Sequence, residues 1–504
     1  MKFNRALLKP FQPMVYVAIL MFGLTACGSG GSDDDSTGYI KFYNASANAP
    51  GVFLTVDENL DEDDDDEVEV TYNSVAYTKV SATNALDKGT YYIELAWQDE
   101  ESSARSDLEI IYEDSVKIKN DQINFIALTG DVRQPEVLQY EIEVVDDDND
   151  DDDDLFNIRL LNLHGDYQNV DLYMSKDNET FNEAVLVGTA NYQALSDNIK
   201  VEQDQYIYYI TLAGSSDVIY TSVDQNYSAV SQYIIVLREN TGVGSSPFTI
   251  DSIGVNGVTE LEDVDSEAQF SFYNGIALDD YLPTYFGDID IEVRLDGESE
   301  VKFTQVQLGE FTSSTTTSNG DYDFYVRNSQ TNELYVTNAL LSLEENADNT
   351  LFLYGKRDPI DDDEDGDVDE NSDGIVDGYE TKVKTLTVTK SSSSSIYSHG
   401  IKLVNLADSD DFSRVTFYFV LSDEIISSAD NKLSVLQENS ASITLLNNTY
   451  SVYAIATIDG TEIKLANMQL ILDEDSKEQY LIFEAEPSAS SGYKMTLINQ
   501  RSAD

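Results

Sequence analysis

The sequence predicts an all-β protein, a tandem array of four immunoglobulin-like antiparallel β-sandwich domains. Three observations carry this reading. A hexamer ending in asparagine recurs at intervals of a little over a hundred residues: "YIKFYN" (39–44), "NIRLLN" (157–162), "QFSFYN" (269–274) and "GIKLVN" (400–405). Each copy is followed, in the same order, by an alternating strand ("GVFLTVD", "NVDLYMS", "DIEVRLD", "RVTFYFV") and a tyrosine-led strand ("TYYIELA", "QYIYYIT", "DYDFYVR", "TYSVYAI"). A more continuous apolar strand ("INFIALTG", "YIIVLREN", "LFLYGKRD", "YLIFEAEP") and a closing strand complete the unit. Finally, 32 Tyr and 20 Phe against 8 Pro favour strands, and no helical period persists long enough to compete. Seven or eight short strands with period-two alternation and polar turns, in a unit of about 110 residues, form the pattern of a sandwich.

The elements follow in chain order. "MKFNRALLKPFQP" carries Lys2, Arg5 and Lys9 with no acid, and "MVYVAILMFGL" (14–24) is an apolar run too short to remain as a membrane span. Together they read as a secretory signal, residues 1–26. It ends in "LTAC" (24–27), which resembles the bacterial lipobox. That resemblance implies cleavage before Cys27 and attachment of diacylglycerol to its sulfur, so that the membrane partner is reached through an N-terminal lipid. Gly28 follows, where aspartate would resemble the inner-membrane retention signal, so the resemblance favours the outer membrane of a bacterial cell envelope. Residues 27–37 are a flexible tether. Repeat 1 spans 38–145, repeat 2 spans 155–259, repeat 3 spans 268–390 and repeat 4 spans 396–504. Between them lie "DDDNDDDDD" (146–154), whose like charges predict an extended spacer, "ELEDVDSEA" (260–268) and "SSSSS" (391–395).

The repeated asparagine at a strand end is read as a turn-setting residue that bonds nearby backbone. The single tryptophan, Trp97, is read as core.

"NASANAPGVFLTVD" (44–57), with "GTYYIEL" (89–95) after it, resembles the opening of the bacterial domain of unknown function 4397. Its members carry a histidine where Asn44 stands and a proline where Ala47 stands. The first repeat matches best, and the others keep the strand order. The resemblance implies an extracytoplasmic immunoglobulin-like module, often in tandem, and implies no activity.

A formal charge of −66, from 95 acidic and 29 basic residues, excludes nucleic acid as a partner and makes divalent cations the natural complement. Three acid-rich tracts compete for such an ion. "DEDDDDEVE" (61–69) and the 146–154 run contain no glycine to make the sharp turn of a wrapped calcium loop, and read as solvated loop and spacer. The tract 361–380 differs. In "DENSDGIVDGYE", Asp369, Asn371, Asp373 and Asp377 supply side-chain oxygens, Ile375 a carbonyl, Glu380 a bidentate carboxylate, and Gly374 the turn. An overlapping frame places Asp361, Asp363, Asp365 and Gly366 likewise and shares Asp369. Overlapping frames of this kind resemble thrombospondin type 3 calcium repeats more than paired EF-hands. The tract lies between the last two strands of repeat 3, so Ca2+ is expected on an insertion in a hairpin loop.

Two histidines, His164 and His399, and no nucleophile-elbow sequence argue against a serine hydrolase, and no enzymatic activity is expected. Two functions remain open. One is a lipid-anchored envelope protein, structural or adhesive, meeting a surface, matrix or glycan partner. The other is a module that binds a soluble glycan or peptide at the sandwich loop ends.

Overall fold

The computed structural model describes residues 37–59, 68–98, 104–145, 154–255, 257–278, 280–295, 299–360, 376, 378–391 and 395–499. Module 1 sets the plan. Its strands are β1 (Thr37–Asn44), β2 (Val52–Asp57), β3 (Glu69–Thr71), β4 (Asn84–Asp87), β5 (Gly89–Gln98), β6 (Leu108–Ile118), β7 (Gln122–Thr129) and β8 (Glu136–Glu143). They form two sheets, β4-β1-β7-β8 and β3-β2-β5-β6. All pairs are antiparallel except β1 with β7, which run parallel in register from Tyr39↔Ile123 to Asn44↔Leu128. Modules 3 and 4 repeat this order strand for strand. Module 2 adds an edge strand at Val258–Leu261, so the first two residues of what reads as a linker before repeat 3, Glu260 and Leu261, belong to its sheet. The array is all-β and built of immunoglobulin-like sandwiches.

Two side-chain devices recur in every module. The first is the asparagine ending β1 and its equivalents. Asn44, Asn162, Asn274 and Asn405 are fully buried. Each Oδ1 accepts from the backbone N–H two residues on (Ser46, His164, Ile276, Ala407), at 3.0–3.3 Å. Each Nδ2 donates to a backbone carbonyl, that of Val75, Tyr167, Val306 or Val435. One side chain thus closes the turn after the strand and ties it to the chain beyond, which bears out the turn-setting reading.

The second device explains the tyrosine-led strand. Tyr91, Tyr206, Tyr322 and Tyr450 each donate a phenolic hydrogen bond to the backbone carbonyl four residues upstream, at Asp87, Glu202, Ser318 and Leu446, with distances of 2.6–3.0 Å. This is the tyrosine corner of an immunoglobulin-like sandwich, where the chain crosses from one sheet to the other. Replacing Tyr450 by phenylalanine keeps the ring packing and removes the donor. The expected cost is about 1 kcal/mol, read as a lowered denaturation midpoint.

Each module has its own core between its two sheets. The sheet containing β1 and β7 is also buried on its outer face, because modules pack there in pairs. Tyr43, Phe125, Ala127 and Ile142 of module 1 meet Leu161, Leu163, Ile234, Val236 and Ile253 of module 2. Tyr273, Phe352, Tyr354 and Val388 of module 3 meet Val404, Leu406, Tyr480 and Ile482 of module 4. Burial on both faces is why β7 and its equivalents read as continuous apolar runs rather than alternating ones.

The pairs also touch each other. Asn346 of module 3 exchanges hydrogen bonds with Asn240 of module 2, and its Oδ1 accepts from the Gly244 N–H at 2.8 Å. A Cβ on Gly242 would lie 2.2 Å from the Asn346 side chain, so glycine is needed for that approach. On the other side, Ile396 of module 4 enters the core of module 1, its N–H bonding the Asn48 carbonyl at 3.1 Å. The buried Trp97 stacks on Tyr397 with ring centroids 3.9 Å apart. Each module therefore contacts two others, and the four close into a ring from Thr37 onward.

The contact of modules 2 and 3 is sensitive to acid. Burial raises the Glu262 carboxyl to about 7, helped by the charge of Glu260 and opposed by the Asn346 amide. The folded-state value lies above that of an unfolded carboxylate, so the folded state takes up a proton first. Stability is therefore expected to rise as pH falls from above 7 toward 4.5, and to stop rising below the unfolded value. Glu262→Gln should flatten that dependence in denaturation curves taken across the range.

Candidate functional site

Of the residues expected to bear function, Cys27 and Asp361, Asp363, Asp365, Asp369, Asn371, Asp373, Ile375 and Asp377 lie outside the described residues. Glu380 and the base of the insertion are described. The strands Asp348–Pro359 and Tyr379–Thr389 pair without interruption up to Pro359↔Tyr379. One further backbone bond, from the Ile360 N–H to the Gly378 carbonyl at 2.9 Å, closes the neck. The ends of the tract are thus fixed side by side, which lowers the entropy cost of wrapping it around an ion. Glu380 stands opposite Asp358, and the exposed Lys382 ammonium reaches both, at 2.9 Å and 3.6 Å. Those carboxylates push the Lys382 ammonium up, Glu380 most strongly. Among the described residues no group of three His, Cys, Asp or Glu side chains comes together as a metal site.

Beside this neck runs a groove of about 670 Å³ between modules 3 and 4. One wall comes from residues 275–278 and 280–286 of the connection that follows Asn274. It presents Leu278, Tyr281 and Phe286 to solvent, Phe286 with 65% of its surface exposed. The other wall comes from Arg357, Leu406, Asp408 and Pro487. The Arg357 guanidinium lies 5.1 Å over the Tyr281 ring, and the Arg357 N–H donates to Asp408 at 2.8 Å. Burial pushes the Asp408 carboxyl up, and that hydrogen bond pulls it down. Tyr281 also packs on Tyr379, the residue before Glu380, with centroids 5.8 Å apart. Aromatic faces beside a carboxylate and a guanidinium can stack on a ring and hydrogen-bond its substituents. Sequence reasoning did not find this groove. The available signal was three large apolar side chains in a connection that carries no repeat motif.

The other singled-out residues have structural surroundings. The His164 ring is buried between Tyr167 and Phe248, donating through Nε2 to the Pro247 carbonyl at 2.9 Å and accepting at Nδ1 from the Asp166 N–H. His399 Nε2 donates to Asn447 Oδ1 at 2.6 Å. Trp97 is buried at the contact of modules 1 and 4 rather than offered to solvent. Of the first acidic tract, Glu69 is described. It joins Asp57 and Glu94 around the single guanidinium of Arg105, at 2.6–3.0 Å.

No family model matches the chain, and no curated protein does. Among solved structures, the Bacillus anthracis TIE protein aligns over 90% of this chain and 75% of its own, with 10% identity and a TM-score of 0.15. The Porphyromonas gingivalis tip fimbrial protein Mfa3 aligns over 47% of this chain and 100% of its own, with 7% identity and a TM-score of 0.20. An adhesin-like protein from Bacteroides ovatus aligns over 45% and 94%, with 9% identity and a TM-score of 0.14. The fold assignment rests on the strand pairing itself.

Proposed function

We propose that the protein is a lipid-anchored component of the bacterial cell envelope, structural or adhesive, whose third module carries a calcium-stabilised insertion beside a ligand groove. The lipobox-like "LTAC" supports the anchor at Cys27, and Gly28 after it supports an outer-membrane location. The observation that carries the reading is the closed neck at Ile360 and Gly378 with Tyr379 packed on Tyr281. The neck from which, by sequence, the tract of calcium-ligand spacing departs lies beside a groove with exposed aromatic rings. An ion that ordered the tract would act on the groove wall through that pair.

The test is a calorimetric calcium titration of the chain from Cys27 to Asp504, beside a variant with Asp369, Asp373 and Glu380 changed to alanine. A fragment holding module 3 alone is a poor substitute, since it would expose Tyr273, Phe352 and Tyr354. Binding at about 10⁻⁴–10⁻³ M is expected, as in other extracellular modules, and should vanish in the triple variant. Lys382→Met should tighten it by removing the ammonium that competes for Glu380. Absence of calcium-dependent heat in the unmodified chain would sink the metal part.

The second reading, a module for a soluble glycan or peptide, draws on the exposure of Leu278 and Phe286. Calcium-dependent attachment to a surface supports the first reading. Saturable binding of a soluble glycan or peptide that survives chelator and is lost in Phe286→Ala supports the second.

A further inference from the structure

The seam of modules 1 and 2 holds two buried cations that, among the described residues, have no carboxylate hydrogen-bond partner. Lys41, on β1, retains 4% of its surface exposed. Its ammonium has three N–H donors, and two of them reach the adjacent carbonyls of Gly254 and Val255 in module 2, at 2.5 and 2.7 Å. On the facing sheet, Arg159 occupies the matching third place of its hexamer, "NIRLLN" against "YIKFYN". Arg159 is nine-tenths buried, and one of its terminal guanidinium nitrogens has no hydrogen-bond partner. Glu143 and Asp197 act on it only through their charge.

This is unusual within the same molecule. Arg238, the other buried arginine, is paired with Asp251 at 2.9 Å. Lys356, Lys390, Lys402 and Lys494, each partly covered, all have carboxylates within 4 Å. A buried charge with no directly bonded counter-charge is costly, and a buried guanidinium donor without an acceptor adds to that cost.

Lys41 borders a cavity of about 180 Å³ whose other walls are almost wholly apolar, including Tyr39, Ile123, Ile142, Ile234 and Ile253. Ile234 is the register partner of Arg159, so the two side chains share a face of the sheet. A cavity of about 150 Å³ is enough to hold benzene. We propose that this cavity binds a small monocarboxylic acid, its short apolar body between the isoleucines and its carboxylate meeting the Lys41 ammonium, with Arg159, outside the lining but on the same face of the sheet as Ile234, adding its charge. The ammonium supplies the point charge that a carboxylate needs.

Burial holds the free Lys41 ammonium down at about 8. An anion bound beside it favours the charged form, so affinity should fall as pH rises through 8.

The test uses the full chain from Cys27, at ionic strength held constant with sodium chloride, because any salt screens so acidic a protein. Melting temperature and calorimetric heat are followed against acetate, butyrate, hexanoate and benzoate, with hexanamide as the neutral control. Saturable stabilisation by hexanoate or benzoate is expected, with hexanamide inert. Lys41→Met should weaken binding at least tenfold and Lys41→Arg should restore part of it. Arg159→Gln gives an independent reading from the other module should Lys41→Met fail to fold. Stabilisation by no acid, equal stabilisation by hexanamide, or undiminished affinity in both Lys41→Met and Arg159→Gln would each overturn the proposal.

Discussion

Replacing Arg238 by alanine is expected to cost about 3–5 kcal/mol of stability, more than any surface change in this protein. Arg238 lies at the seam of modules 1 and 2. Its Nε donates to Asp251 at 2.9 Å, its NH1 to the Tyr77 hydroxyl at 3.2 Å, and its NH2 meets Glu260. The guanidinium also sits 5.4 Å from the centre of the Tyr77 ring. Asp251 is fully buried and accepts a further hydrogen bond from the Tyr43 hydroxyl of module 1. Without Arg238, a carboxylate out of reach of water keeps one neutral partner. Burial already raises the Asp251 carboxyl more than Arg238 lowers it. The variant should therefore protonate Asp251, and its deficit should shrink on acidification. The sign follows from a folded-state value above the unfolded one, which makes the protonated form the stable one and the loss greatest at neutral pH. Urea denaturation of Arg238→Ala at pH 7 and pH 5 measures both effects. A double variant, Arg238→Met with Asp251→Leu, removes both charges and should recover most of the loss. A single variant within 1 kcal/mol of the parent at pH 7 would mean that the Tyr43 hydroxyl alone satisfies Asp251.

The fold was legible because its signals are periodic. Period-two alternation, a strand-end asparagine and a tyrosine at the foot of the fifth strand each follow from local geometry, and each is written once per module. What the hexamers also hold, and what reading them as four equal copies concealed, is the pairing. "YIKFYN" and "QFSFYN" place tyrosine before the asparagine, whereas "NIRLLN" and "GIKLVN" place leucine or valine there. Tyr43 reaches Asp251 and Tyr273 reaches Glu484 at 3.1–3.2 Å, each across a seam to the next module. The alternation of aromatic and aliphatic residues is thus a mark of who packs on whom. The continuous apolar seventh strand carried the same message, since a strand buried on one face alone would alternate.

The groove was not legible for the opposite reason. Leu278, Tyr281 and Phe286 lie in an irregular connection, where no period distinguishes a solvent-facing ring from a packed one. Their partners, Arg357 and Asp408, come from a different strand and a different module. Nor was the place of Trp97 legible. Burial was predictable from its strand, but its partner Tyr397 lies 300 positions along the chain and meets it only because the ring closes.

Phe352→Ala tests that closure. Phe352 is fully buried at the seam of modules 3 and 4, within reach of the rings of Tyr273, Phe311 and Tyr480 at centroid distances of 5.2–6.1 Å. Truncation removes an aromatic side chain from a site walled by two modules, and the expected cost is about 3–5 kcal/mol. The place where that loss is felt distinguishes a string of sandwiches from a closed ring. In a string, modules 3 and 4 would melt early and modules 1 and 2 would keep the parent midpoint. In the ring, module 4 also supplies Ile396 to the core of module 1 and Tyr397 to Trp97. Loosening module 4 then withdraws contacts from module 1. Trp97, the only tryptophan, reports that contact directly. Its fluorescence transition in Phe352→Ala is expected to move to lower denaturant together with the loss of strand signal. A tryptophan transition that stays at the parent midpoint while part of the sheet signal is lost would show that modules 1 and 2 stand without the other pair.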